Sequence, residues 1–438
     1  MIRNYYIWYC SPIKEMASVI SLIFCLFELS YNGGDIMAKK GEQYNYRIVL
    51  KYIDSSNVEV EIDSTQLQYI LIDKDFDGCN MPVISVFGSI EKNILDDMIR
   101  NMDKNIVTLG IYKYDATNQN DNITDKYFHD KFIYIINEDV SKTDKIDNPN
   151  GIDSKTGNRQ YKEVNLWLIQ QDAINNNRQV INGVYHNASM NSLILQTTNY
   201  LGKVLLEPIR YDTKYDQVII PPLDSISNYI RYLNDNLGVF YDTPYRFFID
   251  FDATYIVSSS GKPIRARNQY VYTIVVDIKE VDIETSEEPG AYVDIVSGKY
   301  TIGIDASKVE YNKNHVTNKL VNKVTVINSK GDVFEQELEE NQSKITGTIN
   351  QVMNVSNNDQ NVINPISHNI ESGNITLSIV KNDLDATLFT INKEYIIRDP
   401  LHEEYNGRYI LMHSEQLFIK QNENFIMSTV LSFKKVSD

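Results

Sequence analysis

Apolar and polar residues alternate with a period of two along much of this chain, the pattern of strands with one buried face. Residues 58–63 alternate strictly, and 44–54 and 67–72 carry the same pattern with Tyr, Ile, Val and Leu on one side. Residues 73–89 are predicted as a loop and a short strand. Further strands are expected at 106–114, 131–136, 161–169, 180–186, 203–208 and 217–220. Beyond these come 270–281, 292–304, 323–328, 333–338, 375–380, 393–398, 407–419 and 424–435. A helical period replaces the alternation in three places. At 90–102 the stripe is Ile90, Ile94, Leu95, Met98 and Met102, and at 190–201 an apolar segment stops at Gly202. The third lies inside 221–257: Ile226, Tyr229, Ile230, Leu233 and Leu237 form a single apolar face, with Asp224 as the expected N-cap and Gly238 as the stop. Two strands, 245–251 and 254–258, follow it; they are too aromatic and β-branched to continue the helix. Ile226, Tyr229, Ile230, Leu233, Leu237, Phe247 and Phe251 are the predicted packing and interface residues.

The tally predicts a mainly β, α+β chain. Its connections are short and polar, which favours antiparallel sheets or barrels over a doubly wound sheet. Two long polar loops interrupt the first half at 115–125 and 137–160, and residues 339–372 are the most Asn-, Gln- and Ser-rich segment. The division expected from this pattern is a β domain over 37–222 and a second over 223–438 that contains the Asn-rich loop 339–372. The helix at 226–237 would stand at their junction.

Composition narrows the function. A net charge of -17 and a pI near 4.9 exclude a nucleic-acid partner recognised through a basic surface. Three cysteines, at 10, 25 and 79, make neither a disulfide framework nor a zinc quartet. Residues 17–27 form an apolar run too short to span a bilayer. Glu28 follows it directly, and no small-residue cleavage site appears. Gly33 and Gly34 must be encoded by GGN GGN, two codons before Met37, where a bacterial ribosome-binding sequence would stand. Residues 1–36 are therefore read as a leader from a misassigned start, with the product beginning at Met37.

Candidate chemistry changes little. Asp73-Lys74-Asp75-Phe76-Asp77-Gly78 imitates the start of an EF-hand, but position 12 is Ile84 and Pro82 interrupts the loop, so a solvated acidic turn is expected. His402-Glu403-Glu404 with His413 is not a zinc-hydrolase motif, and the other histidines are isolated. No nucleophile elbow is present, Cys79 has no base partner in its acidic turn, and Gly261-Lys262 lacks a phosphate loop's spacing. No catalytic, cofactor-binding or metal-ligating residue is predicted. Aromatic residues at alternating strand positions, such as Tyr245, Phe247 and Phe251, suit a subunit interface, or the sugar-binding face of a secreted or surface carbohydrate-binding protein.

Three segments carry a resemblance. Residues 69–84, YILIDKDFDGCNMPVI, with the following helix and strand, resemble the opening of hub proteins in contractile phage baseplates. The helix at 226–237 followed by Gly238-Val239-Phe240-Tyr241 is similar to the middle of the same proteins. Asn406-Gly407-Arg408-Tyr409 and the closing Phe433-Lys434-Lys435 resemble the last hairpin of hub and late-control proteins. The resemblance implies two tail-tube-like β-barrel domains per subunit and a homotrimer with pseudo-sixfold symmetry. It implies as partners a tail tube or tube-initiator protein, a central spike protein and baseplate wedge proteins, in a virion assembled in the host cytoplasm. No membrane or specific nucleic-acid binding and no enzymatic role are expected; another component at the tube tip is the alternative within this class.

Overall fold

The computed structural model describes residues 44–54, 56–101, 105–115, 125–137, 161–209, 212, 214–240, 245–258, 271–276, 292–296, 299–304, 308–313, 323–327, 333–337, 348–352, 375–384, 386, 389–391, 393–399 and 402–435. The leader and the start at Met37 lie outside these residues, as do most of the two long polar loops and of segment 339–372. Strands β1 (Tyr44–Ile53), β2 (Glu59–Ile62), β3 (Leu67–Asp75) and β4 (Val83–Glu91) lead into helix α1 (Lys92–Arg100). Next come β5 (Ile106–Asp115), β6 (Asp125–Asn137), β7 (Tyr161–Ile169), α2 (Gln171–Arg178), β8 (Ile181–Ser189) and α3 (Met190–Thr198). They are followed by β9 (Val204–Leu206), β10 (Lys214–Leu223), α4 (Ile226–Leu237), β11 (Tyr245–Ile249), β12 (Thr254–Ser258) and β13 (Val271–Val276). The remaining strands are β14 (Tyr292–Val296), β15 (Lys299–Ile304), β16 (Lys308–Lys313), β17 (Lys323–Ile327), β18 (Val333–Glu337), β19 (Thr348–Val352), β20 (Ile375–Asn382), β21 (Glu394–Arg398), β22 (Gly407–Gln421) and β23 (Asn424–Lys435).

Eight strands close a barrel in the order β22-β3-β4-β7-β6-β5-β1-β23, with β23 hydrogen-bonded back to β22. Every pairing in this ring is antiparallel. Alternate residues point inward and build one core, with Tyr46, Ile48, Leu50, Ile70, Val86, Leu109, Leu166 and Phe418 almost free of solvent. Helix α1 contributes Leu95 and Met98 to that core, and the Tyr134 hydroxyl donates to the Met98 carbonyl at 2.7 Å. Closure leaves no sheet edge open in this ring.

The closing hairpin β22–β23 is longer than the barrel needs. Residues 413–419 of β22 pair with β3, while its first residues, 407–410, pair with β21. On the other side Phe425 pairs with β1, and residues 428–434 of β23 pair with β20. The hairpin thus continues into a second sheet, β14-β15-β13-β21-β22-β23-β20-β16. Here β13 lies parallel to both β15 and β21, so this sheet is not purely antiparallel. Its core holds Leu377, Ile379, Phe389, Tyr395, Tyr409, Leu431 and Phe433. The strands of the closed barrel come from both sides of residue 222.

A third core lies between the β8–β10 ribbon, helices α3 and α4, and one face of β11–β12. Ser225, not Asp224, caps α4: its hydroxyl accepts the Asn228 N–H at 3.2 Å, and Asp224 binds the Asn228 side chain instead. Gly238 ends the helix at φ 71°, a left-handed geometry that favours glycine.

Other departures have physical reasons. β3 runs to Asp75 and β4 is nine residues long, where a loop and short strand were expected, because Asp73, Lys74 and Asp75 pair with Glu415, Ser414 and His413 of β22. Ile90 belongs to β4, so α1 starts two residues later than its stripe. α2 was not expected: its QDAINNNR sequence has almost no apolar period, and it is fixed by buried Asn176, whose side-chain oxygen accepts the Ser227 N–H at 2.8 Å. Residues 292–304 are two strands of an antiparallel hairpin rather than one, and β16 and β19 carry no alternation strong enough to announce them.

Candidate functional site

The polar contacts between the cores converge on one place, where β22 changes partner. The strand pairing shifts between Leu411 and His413, leaving Met412 in a bulge. The Met412 carbonyl accepts the Phe76 N–H at 3.0 Å, and the Leu411 carbonyl accepts from the Arg246 guanidinium at 2.6 Å. His413 Nε2 lies 2.6 Å from Asp73 Oδ1. The acidic turn of residues 73–78, expected as a solvated loop, is therefore a structural joint.

The turn builds itself first. Asp75 Oδ1 accepts the N–H groups of Asp77 and Gly78 at 3.1 and 2.8 Å. A Cβ on Gly78 would stand 2.0 Å from Asp75 Oδ2, so a larger residue would push the Asp75 carboxylate out of the place from which it caps the turn. Phe76 is thereby driven inward onto Phe248, with ring centroids 4.6 Å apart and edge to face.

The β11–β12 hairpin receives the turn and touches all three cores. Phe247, Ile249 and Ile256 face the helical layer, and Phe248, Tyr255 and Val257 face the second sheet's core. Phe251, half-buried, packs on Phe128 and Phe132 beside the barrel core at centroid distances of 4.9 and 6.0 Å. Two cations fasten the hairpin to the turn. Arg246, almost wholly buried, donates from Nε to Asp77 Oδ1 at 3.1 Å, and Lys74 Nζ donates to Asp250 Oδ1 at 2.6 Å while lying 4.6 Å from the Phe251 ring centre. The Asn80 carbonyl accepts the Ile249 N–H at 2.7 Å.

Burial pulls the Arg246 pKa below the ordinary arginine value, with Asp77 opposing the shift. Burial alone would also lower His413, but the hydrogen bond and charge of Asp73, with Glu415 and Asp75, raise it above the ordinary value. Burial pushes Glu415 up. Among the described residues no group of three or more His, Cys, Asp or Glu side chains has a metal-binding arrangement. The carboxylates of the turn instead face peptide N–H groups, Arg246 and His413.

Of the seven predicted packing residues, Ile226, Tyr229, Ile230, Leu233, Leu237 and Phe247 meet in the helical-layer core, where the Tyr229 hydroxyl donates to the Leu193 carbonyl at 3.2 Å. Phe251 goes to the barrel instead. All six of the first group are buried within this chain. Sequence reasoning missed Arg246, Asp250, Lys74 and the Asp73–His413 pair. The signal was present in the strand YRFFID, where charges stand inside an apolar run and need buried partners.

The fold and this joint define a β protein whose closed barrel shares its last hairpin with a second sheet, with a β11–β12 hairpin pinned beside the shared hairpin by ion pairs. The chain belongs to the family of the bacteriophage PBS1 gene 109 protein, whose model matches residues 36–436. A search of curated proteins finds no match. Among solved structures, the chain is similar to the tail protein from Neisseria meningitidis MC58, at 10% identity and TM-score 0.49, covering 89% of this chain and 96% of that one. A 43 kDa tail protein of prophage MuSo2 from Shewanella oneidensis gives 7% identity and TM-score 0.47, covering 90% and 97%. A chain of the Francisella PdpA-VgrG complex gives 13% and 0.48, covering all of this chain and 64% of that one. At these TM-scores the family membership rests on the sequence match rather than on the superpositions.

Proposed function

We propose that this chain is a structural protein of the phage tail baseplate, the hub that joins the tail tube to the central spike. One observation carries the reading: a closed eight-stranded barrel and a second sheet share one continuous hairpin, with ion pairs beside the place where that hairpin passes from one to the other. In this reading the second sheet serves as a second tube-like module beside the barrel, so three copies give six modules in a ring, matching a sixfold tube above and a threefold spike below. The family is a phage one, and the segments at 69–84, 226–241 and 405–435 resemble hub proteins. In this reading the chain works without catalysis, resides in the virion, and meets the tube or tube-initiator protein, the spike and the wedge proteins. In this reading the modules do not follow the expected division at residue 222, because β22 and β23 from the second half complete the first barrel.

The test is light scattering on the purified chain, alone and mixed with the tube and spike proteins encoded beside it. A trimer that binds both, and its detection by mass spectrometry in purified tails, is expected. A chain that stays monomeric at high concentration and binds neither protein overturns the assignment.

A further inference from the structure

Two Asn-Gly pairs lie among the described residues, Asn182-Gly183 in β8 and Asn406-Gly407 at the start of β22. Both glycines have a positive φ, 142° and 152°, so the two pairs share sequence and much of their backbone geometry. Their surroundings differ. Asn406 is half-buried and fixed: its side-chain oxygen accepts the Asp399 N–H at 2.6 Å, and its backbone carbonyl accepts from Lys435 Nζ at 2.8 Å. The same lysine fills the space beside Gly407, with its Cε 2.7 Å from where a Cβ would stand.

Asn182 has none of these restraints. It is exposed, and its side-chain amide makes no hydrogen bond to another described residue. The pairing of β8 with β10 jumps from Gly183–Ile220 to Ile181–Leu223, so Asn182 faces Pro221 and Pro222 across the ribbon. Proline has no N–H, and neither residue can hold the Asn182 carbonyl in the ladder. The space beside Gly183 is open: a Cβ there would meet nothing nearer than the Tyr185 ring at 3.7 Å. Among the described residues β8 and β10 form a sheet of two strands, so no further strand steadies β8 from its other edge.

We propose that Asn182 is a self-modification site that converts to aspartate or isoaspartate with water as its only co-reactant. The Gly183 nitrogen bonds to the Asn182 side-chain carbonyl carbon, the bond from that carbon to the amide nitrogen breaks, and ammonia leaves carrying the Gly183 proton. Glycine suits this attack because it brings no side chain against the closing ring. Water then opens the cyclic imide. Opening at the side-chain carbonyl leaves aspartate in an ordinary backbone; opening at the backbone carbonyl leaves isoaspartate, which lengthens the backbone by a carbon. Either product puts a carboxylate between Val180 and Val184, both exposed. The longer backbone also displaces Ile181 against Leu223, where the ribbon meets the third core. The inference uses no part of the hub reading.

The experiment stores the purified full chain at mildly alkaline pH, folded in one arm and unfolded in guanidinium in the other. Peptides sampled over time are mapped by mass spectrometry with separation of the amide, aspartate and isoaspartate forms. Mapping by site keeps the pairs at 32–33 and 150–151 apart from these two. In the folded chain Asn182 should convert at least about tenfold faster than Asn406, a margin that unfolding erases. A folded chain with a smaller margin, an Asn182 that stays intact, or an unfolded chain that shows the same margin overturns the inference.

Discussion

In the closed barrel each of the eight strands has a hydrogen-bonded neighbour on both sides, and the interior is a continuous set of aliphatic and aromatic side chains. In the second sheet, β14 and β16 are the outermost strands among the described residues, and β13 runs parallel to its neighbours. The second sheet's core is covered by the β11–β12 hairpin, which charge fastens to the acidic turn after β3 through Arg246 to Asp77 and Lys74 to Asp250. The difference teaches where stability resides. The barrel closes on itself, whereas the second sheet extends from the shared hairpin and is covered by a β11–β12 hairpin held in place by ion pairs.

The sharpest break of this contrast comes from matched core truncations. Phe418→Ala in the barrel and Phe433→Ala in the second sheet each remove a fully buried ring, a loss of about 3–5 kcal/mol. Hydrogen exchange should separate them: Phe418→Ala should expose both halves, and Phe433→Ala chiefly β13, β20 and β21. Equal spreading in both variants would show that barrel and second sheet unfold as one unit. Next in size is Arg246→Met, which keeps the bulk of the side chain, removes its bonds to Asp77 and Leu411, and leaves half-exposed Asp77 to water. The expected loss is about 2 kcal/mol with barrel protection intact, measured by denaturant melts.

Protonation gives smaller effects of defined sign. The folded His413 binds its proton more tightly than the unfolded chain does, because Asp73 is paired with it. Its contribution is therefore complete below about pH 6.5 and is lost as pH rises through the raised folded value. His413→Gln should flatten the stability–pH profile in that window; an unchanged profile would remove the pair from the joint's account. Asp383, at the end of β20, is pushed up to about 6 by burial, against the pull of Lys113 and of hydrogen bonds from Tyr44 and Tyr46. Stability then falls as pH rises from about 4 to 6, where the folded form gives up the proton. Asp383→Asn removes that charge and suits the residue's φ of 58°, so it should raise stability at pH 7 by about 1 kcal/mol and leave pH 4 nearly unchanged.

Much of this architecture was legible because period-two alternation is local. β1, β5, β7 and β23 lie where their patterns put them, and α4 has the face its spacing predicts. What stayed hidden depended on distant residues. β3 keeps Asp73, Lys74 and Asp75 in a strand only because β22 lies beside it, and α2 forms around one buried asparagine. The joint was half visible: DKDFDG and the charges in YRFFID were both readable, but that Asp77 meets Arg246 across 169 positions is a fact of topology. Closure of the first barrel by the last hairpin could not be read from strand lengths at all.

That closure sets a clock on synthesis. β1 and β3 leave the ribosome long before β22 and β23, the strands that fill the gap between them. Until β22 and β23 emerge, the nascent chain carries two unpaired edges and a half-built interior, a state that invites mispairing and calls for chaperones. Products that stop before β22 lack the plug and cannot form the barrel. If ring building needs the barrel, incomplete translation products are excluded from the particle without any separate inspection step.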